Sequence, residues 1–511
     1  MKSKFKLFIT VIITLIILMA ALTAAYAFNG TFRNSVDLLL KSPRDYYVHL
    51  EYKSIEAMVD KFVDYSKSNT NENAAQYTAY LTYDKDTVNA LLKNSSGMTI
   101  SDIEALTGIP LNSLGYDLIS AVKKDKLYQK LDLYLNDTYI ISGEFFTDYA
   151  IKEFLFHFPD LSPAYVRRSL DINTGDMKEY YFDVSGAITN KLSSDDIGEF
   201  IKHYAKLITD GIDDVQLTKN EKLTVGDLTV DTNLLTVYLY PEALKNITVG
   251  ILEEMIDDEF ILDLLPEDIT EENFTEKADK AIKDCQTHFD SLPQDKELVL
   301  MKVYVGKDGR ILGRSFEIKD GSDYTVNINF LSVKQNNKGA YDYYIENYDK
   351  TTLQLSGSHY INDKAYTGSA TLKIVTKGPD NMESVEFEIE YEDIKYELMN
   401  NNICLFGNIS LSSSEMMGME ILIEMDTKDD ARLTTLKLNM GKTSLITIET
   451  TAKYIEDFSI PGKKYNAKTF DISEIDEYAT TIDWDEFISA LSDRLGVDLE
   501  ELLGNLLTIY R

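Results

Sequence analysis

The sequence predicts an α+β fold: a large, curved antiparallel β-meander packed on helices, preceded by one N-terminal transmembrane helix or signal sequence. Three observations predict it. From Lys302 onward, roughly 150 residues alternate apolar and polar side chains with period two. Helical periodicity is concentrated in the segments before and after that run. Within the run no helix separates successive strands, as parallel βαβ pairing requires.

The elements follow in order. Lys2, Lys4 and Lys6 precede an apolar run, Leu7 to Leu22, broken only by Thr10 and Thr14, and Ala25 and Ala27 stand three and one residues before a cut after Ala27. Cationic flank, apolar run and small-residue exit read as an export signal. The apolar stretch extends to Phe28, about 22 residues, enough to span a bilayer. Both a cleaved signal and an uncleaved anchor fit, and the length favours the anchor. The lysines put the N-terminus in the cytoplasm and the bulk of the chain outside. The expected location is the cell membrane, single-pass, with secretion as the alternative.

Ser54 to Lys67 has helical spacing at Ile55, Met58, Val59, Phe62 and Val63. Gln76 to Asp84 alternates as a strand, and Asp86 to Ser120 reads as mostly helical with a break near Gly108 to Pro110. Leu127 to Leu135 and Tyr139 to Phe146 read as a hairpin joined at Asn136-Asp137. Ser193 or Ser194 caps a helix carrying Ile197, Phe200, Ile201, Tyr204 and Ala205. Leu223 to Val230 and Leu234 to Tyr240 read as paired strands, followed by acidic helices up to about Asp290. The meander opens on "KVYVGKDGRILGRSFEIK" (Lys302 to Lys319), whose Asp308-Gly309 is a tight-turn signal. Its clearest strand sets Val385, Phe387, Ile389 and Tyr391 against Glu386, Glu388, Glu390 and Glu392. At the C-terminus, Asp483 with Glu486 and Asp498 with Glu501 resemble capping boxes of two amphipathic helices parted at Gly496. These helices are expected to cover one side of the sheet. The expected domains are 1–28 (anchor or signal), 29–270 (mixed helix and strand), 271–470 (meander) and 471–511 (C-terminal helices).

Chemistry is sparse. The chain has 51 basic and 85 acidic residues among 511, a net charge of −34, which excludes nucleic acid as a partner. Its main effect is solubility, with loose divalent-cation binding the sharper alternative. Cys285 and Cys404 are either one bond across a wide loop or two small buried hydrophobes. Tyrosine dominates the aromatics, 33 against 22 Phe and one Trp, and suits strands with one dry and one wet side. Of the five histidines, His49, His157, His203, His288 and His359, no two are spaced as a local metal pair. His157 reads as a satisfied, partly buried imidazole and His203 as solvent-side. Ser358 and His359 are adjacent on a strand and so point to opposite faces, which excludes a nucleophile with its base. Gly441-Lys442-Thr443 lacks the upstream glycine of a phosphate loop, having Leu436 there, and reads as a hairpin turn. Asp171 to Asp176 looks faintly like a calcium loop, but its twelfth position is Phe182. No catalytic, cofactor-binding or metal-binding residue is therefore singled out, and no cofactor is expected.

"SPRDYYVHLEYKSIEAMVDKF" (Ser42 to Phe62), "FHFPDLSPAYV" (Phe156 to Val166) and the "GKDGRILG" hairpin, together with the anchor, resemble exported proteins of Gram-positive bacteria that have no assigned activity. The alternation of helices with a long meander is similar to the lipoprotein-carrier fold, whose half-barrel sheet wraps over helices. That resemblance implies a concave face able to carry an acyl chain. The expected function is an extracytoplasmic, membrane-anchored, non-enzymatic binding protein for a lipid or other hydrophobic ligand. The alternative is a cell-surface structural or signalling protein with a protein partner, and an envelope hydrolase ranks third because nothing supplies its nucleophile. What separates the first two is whether the meander closes a core or lines a pocket.

Overall fold

The computed structural model describes residues 34–500, apart from 35–37, 39, 69–72, 96–98, 124–125, 149, 170–192, 266–268, 320–324, 378–381, 400–401, 417, 429–430, 456–457 and 463–466. The segments expected to form the anchor, the turn at Asp171 to Asp176 and the helix running on from Glu501 lie outside the described residues. Twenty described strands form a large, unclosed, mostly antiparallel sheet accompanied by helices, an α+β architecture. Among the described residues no helix is long and apolar enough to cross a membrane.

Two compact units divide the chain, residues 1–68 with 183–389, and 69–182 with 390–511. The second unit combines early and late segments for a physical reason. Strand Asn73–Tyr83 pairs on one side with Thr443–Tyr454, as in Leu81 opposite Ile448, and on the other with Ser113–Lys123. Hydrogen-bonded pairing thus joins early and late segments, which no local composition change reveals.

In the first unit, helix Pro43–Ser68 begins eleven residues before Ser54. Ser42 accepts from the Asp45 backbone N–H at 3.1 Å and Pro43 occupies the first turn, where its missing N–H costs nothing. The helix Ser194–Asp210 is capped by Ser193, one of the two serines expected there, in a capping box with Asp196. Gly198 on that helix lets the two helices approach, since a Cβ there would meet Val59 and Val63 at 2.9 Å. The paired strands expected at 223–240 are longer and turn elsewhere: Asp214–Val225 and Leu228–Leu239 meet at Gly226-Asp227, with Gly226 at φ +56. The alternation through Asp231 to Asn233 continues a strand that polar residues made look like a loop.

Val299–Gly306 and Ile311–Lys319 pair around Gly309 at φ +79, and their inward residues close a core. Met301, Val303, Val305, Phe316 and Ile318 pack with Tyr46, Tyr47, Leu244 and Phe289 from three helices. Val299, Met301, Val303 and Val305 on one strand and Arg314, Phe316 and Ile318 on the other are buried at every second position, as an amphipathic sheet packed on helices requires.

In the second unit, the end of the segment expected to be mostly helical up to Ser120 is instead strand Ser113–Lys123, between Asn73–Tyr83 and Lys126–Leu135. Two flanking ladders outweigh its ambiguous apolar spacing. The hairpin Lys126–Leu135 with Thr138–Asp148 turns at Asn136 and Asp137, both at positive φ, the backbone of a type I′ turn. One short pairing is parallel, Thr469–Asp471 with Tyr165–Arg167. Helix Trp484–Leu495 is capped by Asp483 and ends at Gly496, but none of its residues is buried and Trp484 is 50% exposed. It covers its sheet only loosely, through Arg494 on the Ile140 carbonyl at 3.2 Å.

Candidate functional site

Among the described residues, no group of three or more His, Cys, Asp or Glu side chains is placed to hold a metal ion. Cys285 and Cys404 are both free thiols, and burial, then Asp284, pushes the Cys285 thiol up. His203 is half-exposed and pairs with Glu254 at 3.0 Å. Ser358 and His359 lie on opposite faces of strand Thr352–Asn362, opposite Ala340 and Gly339 respectively. Gly441 is a turn residue at φ +60 between paired strands. His157 is more buried than its sequence suggests, 1% exposed, and only one nitrogen is satisfied. Its Nδ1 lies 2.8 Å from Glu144, its ring stacks on Tyr165 at 4.4 Å, and Nε2 has no hydrogen-bond partner. No nucleophile stands beside it among the contacts described, and nothing positive points to an enzyme.

The feature that stands out is a gradient of burial along one face of the first unit's sheet. Register aligns Val237, Met301, Phe316, Ile328, Ile345, Leu353 and Ile374 in one row across seven strands. The first four are closed off, from Val237 at 0% to Ile328 at 0% exposed. Then cover is reduced: Ile345 and Ile374 are half-buried and Leu353 between them is 44% exposed. The chemistry of the row is constant while its burial is not. Helices close the core only over the early strands.

Beyond that limit the open face carries rings. Phe330 contacts Tyr343 at 6.1 Å, Tyr343 stacks on Tyr341 at 5.5 Å, Tyr341 meets His359 at 6.1 Å and His359 meets Tyr366 at 5.2 Å. Glycines let these rings lie low. The His359 ring occupies the space a Cβ on Gly339 would need, and the Tyr341 hydroxyl lies 2.7 Å from the Cβ position of Gly357. Burial, then Lys334, holds the His359 imidazole below its usual value, and burial pushes the Tyr343 phenol up. The sequence names each of these residues as one face of a strand, yet it holds no sign that helices stop short of them.

Two shallow depressions accompany this face in the first unit. One, about 260 Å³, lies where Asp60, Asp64, Asp195 and Glu199 surround Lys202, which bridges Asp60 at 3.1 Å. The other, about 430 Å³, lies on the reverse, polar side of strands Lys338–Glu346, Thr352–Asn362 and Ala365–Lys377. No known family model matches the chain, and no curated protein matches it at a significant level.

Proposed function

We propose that this chain is a non-enzymatic binding protein of the cell exterior, tethered through its N-terminal apolar segment, whose open sheet face receives a hydrophobic ligand such as an acyl chain. The loss of cover along the apolar row supports this reading. A sheet built only to close a core would bury Leu353 and Ile345 as it buries Phe316 and Ile328. The low-lying rings of Tyr341, Tyr343, His359 and Tyr366 offer a smooth apolar surface with polar tips, suited to a flexible chain with a polar end.

A protein partner is the second reading, favoured by Leu353 and Tyr360 on strand Thr352–Asn362 and Tyr348 in the turn before it, all more than a third exposed. Native mass spectrometry of the full chain, released from detergent, separates the two. The carrier reading expects a stoichiometric acyl lipid that survives washing and is lost in Leu355→Lys, which places a charge on the open face. A bare polypeptide mass, or a lipid retained equally by that variant, favours the protein partner.

A further inference from the structure

The reverse face of the same three strands has a different chemistry. Register sets Ala340, Ser358 and Ser369 in one row, Asp342, Ser356 and Thr371 in the next, and Tyr344, Gln354 and Lys373 in a third. Small side chains at the centre leave the depression of about 430 Å³, within the size range of small-molecule sites. Its wall is the Gly226-Asp227 turn, and that wall is fixed. Leu223, Val225 and Leu228 pack on Val333 and Ala340, and Lys338 pairs with Asp227. On the floor, Gln354 Nε2 donates to Asp342 Oδ1 at 2.9 Å, which sets a carboxylate and an amide side by side among four hydroxyls.

We propose that this depression binds a neutral, polyhydroxylated ligand, one or two units of a glycan. An apolar ligand would cover the hydroxyls, amide and carboxylate without pairing them, which is costly. An anion would meet Asp342 and Asp227, no cation is among the lining residues, and Lys338 is paired with Asp227. A sugar fits both conditions. Each of its hydroxyls donates and accepts, as do Ser356, Ser369 and Thr371, and adjacent hydroxyls match a carboxylate set beside an amide. Asp342, Ser356, Ser369 and Thr371 project from the opposite side of the sheet to the ring row, although Tyr341 of that row also borders the depression, so the sugar reading does not depend on a lipid binding there.

The test uses the full chain in nanodiscs of phosphatidylcholine and phosphatidylglycerol, which contain no glycoside. Saturation-transfer NMR and calorimetry are run with three probes: the tetramer of β-1,4-linked N-acetylglucosamine, cellotetraose and maltotetraose. At least one is expected to bind, about tenfold more weakly to Asp342→Ala and to Ser356→Leu, and unchanged with Tyr343→Ala on the other face. Should Ser356→Leu unfold, Thr371→Val removes a hydroxyl at nearly constant shape and carries the same expectation. No saturation transfer from any of the three, or binding indifferent to Asp342→Ala and Thr371→Val, overturns the proposal. Binding lost in Tyr343→Ala but kept in Asp342→Ala also overturns it, since that moves the sugar to the ring face.

Discussion

Arg314 and Glu51, 263 residues apart, form a two-pronged ion pair inside the first unit's core, with Arg314 Nε 3.2 Å from Oε1 and Nη2 on Oε2. Both side chains are 1% exposed. Tyr47 lies against the pair, and burial, then the Glu51 carboxylate, pushes its phenol well above the usual range. Arg314 sits in the register row between Val303 and Phe330, an otherwise apolar line. The pair therefore fixes how helix Pro43–Ser68 sits on the hairpin, because a shifted helix would strand both charges in the core.

Removing one member takes this counter-charge from the buried other, at a cost of about 3–5 kcal/mol. Glu51→Leu and Arg314→Met singly are each expected to lower stability by that order, read from urea unfolding. The double variant Glu51→Leu/Arg314→Met is expected to recover most of it. A double variant as unstable as the singles would show that packing, not charge, is what the site requires.

A second fastening joins the same helix to the hairpin turn. Tyr46 donates to Asn34 Oδ1 at 2.6 Å, while Asn34 Nδ2 donates to the Lys307 carbonyl at 3.2 Å. Gly309 is needed twice over, for its φ of +79 and because a Cβ would lie 2.8 Å from Asn34 Oδ1. Asn34→Ala is expected to cost about 1–3 kcal/mol by removing the acceptor of the Tyr46 hydroxyl and the donor to the Lys307 carbonyl. Hydrogen exchange should quicken at residues 306–309 in both Asn34→Ala and Gly309→Ala. Unchanged exchange would mean the turn holds itself.

In the second unit, Glu144 gathers His157 Nδ1 at 2.8 Å and the Tyr128 hydroxyl at 3.2 Å. Burial first, then this carboxylate, drives the Tyr128 phenol far above its usual range. Glu144→Leu should orphan both groups and cost about 2–5 kcal/mol, whereas Glu144→Gln, which still accepts a hydrogen bond, should cost far less. Equal losses in the two variants would assign the effect to shape alone.

The strands from Val299 to Tyr454 are legible because period two survives whatever covers the sheet, and Asn136-Asp137 and Asp308-Gly309 turn where their residue types demand. Ser42-Pro43 is a readable helix start that apolar spacing from Ile55 onward outweighed. Ser113–Lys123 is not readable from its own residues, because its strand state comes from Asn73–Tyr83 and Lys126–Leu135 on either side. The candidate site is illegible for a similar reason. Leu353 and Phe316 carry the same pattern, and only the extent of the helices over the sheet separates an open face from a core.

His359 makes that face readable in solution. Its folded pKa is held below 6.5 by burial, then by Lys334. A depressed histidine binds its proton more readily in the unfolded chain, so its contribution is complete above about 6.5 and is lost as pH falls through the folded value. NMR titration of the Hε1 resonance, assigned by its loss in His359→Gln, should give a midpoint below 6.5. An acyl ligand lying on Tyr341 and Tyr366 would desolvate the imidazole further and move that midpoint lower still. A midpoint at 6.5 or above would mean that the ring is not covered as described, and one unmoved by a bound acyl lipid would place the lipid elsewhere on the protein.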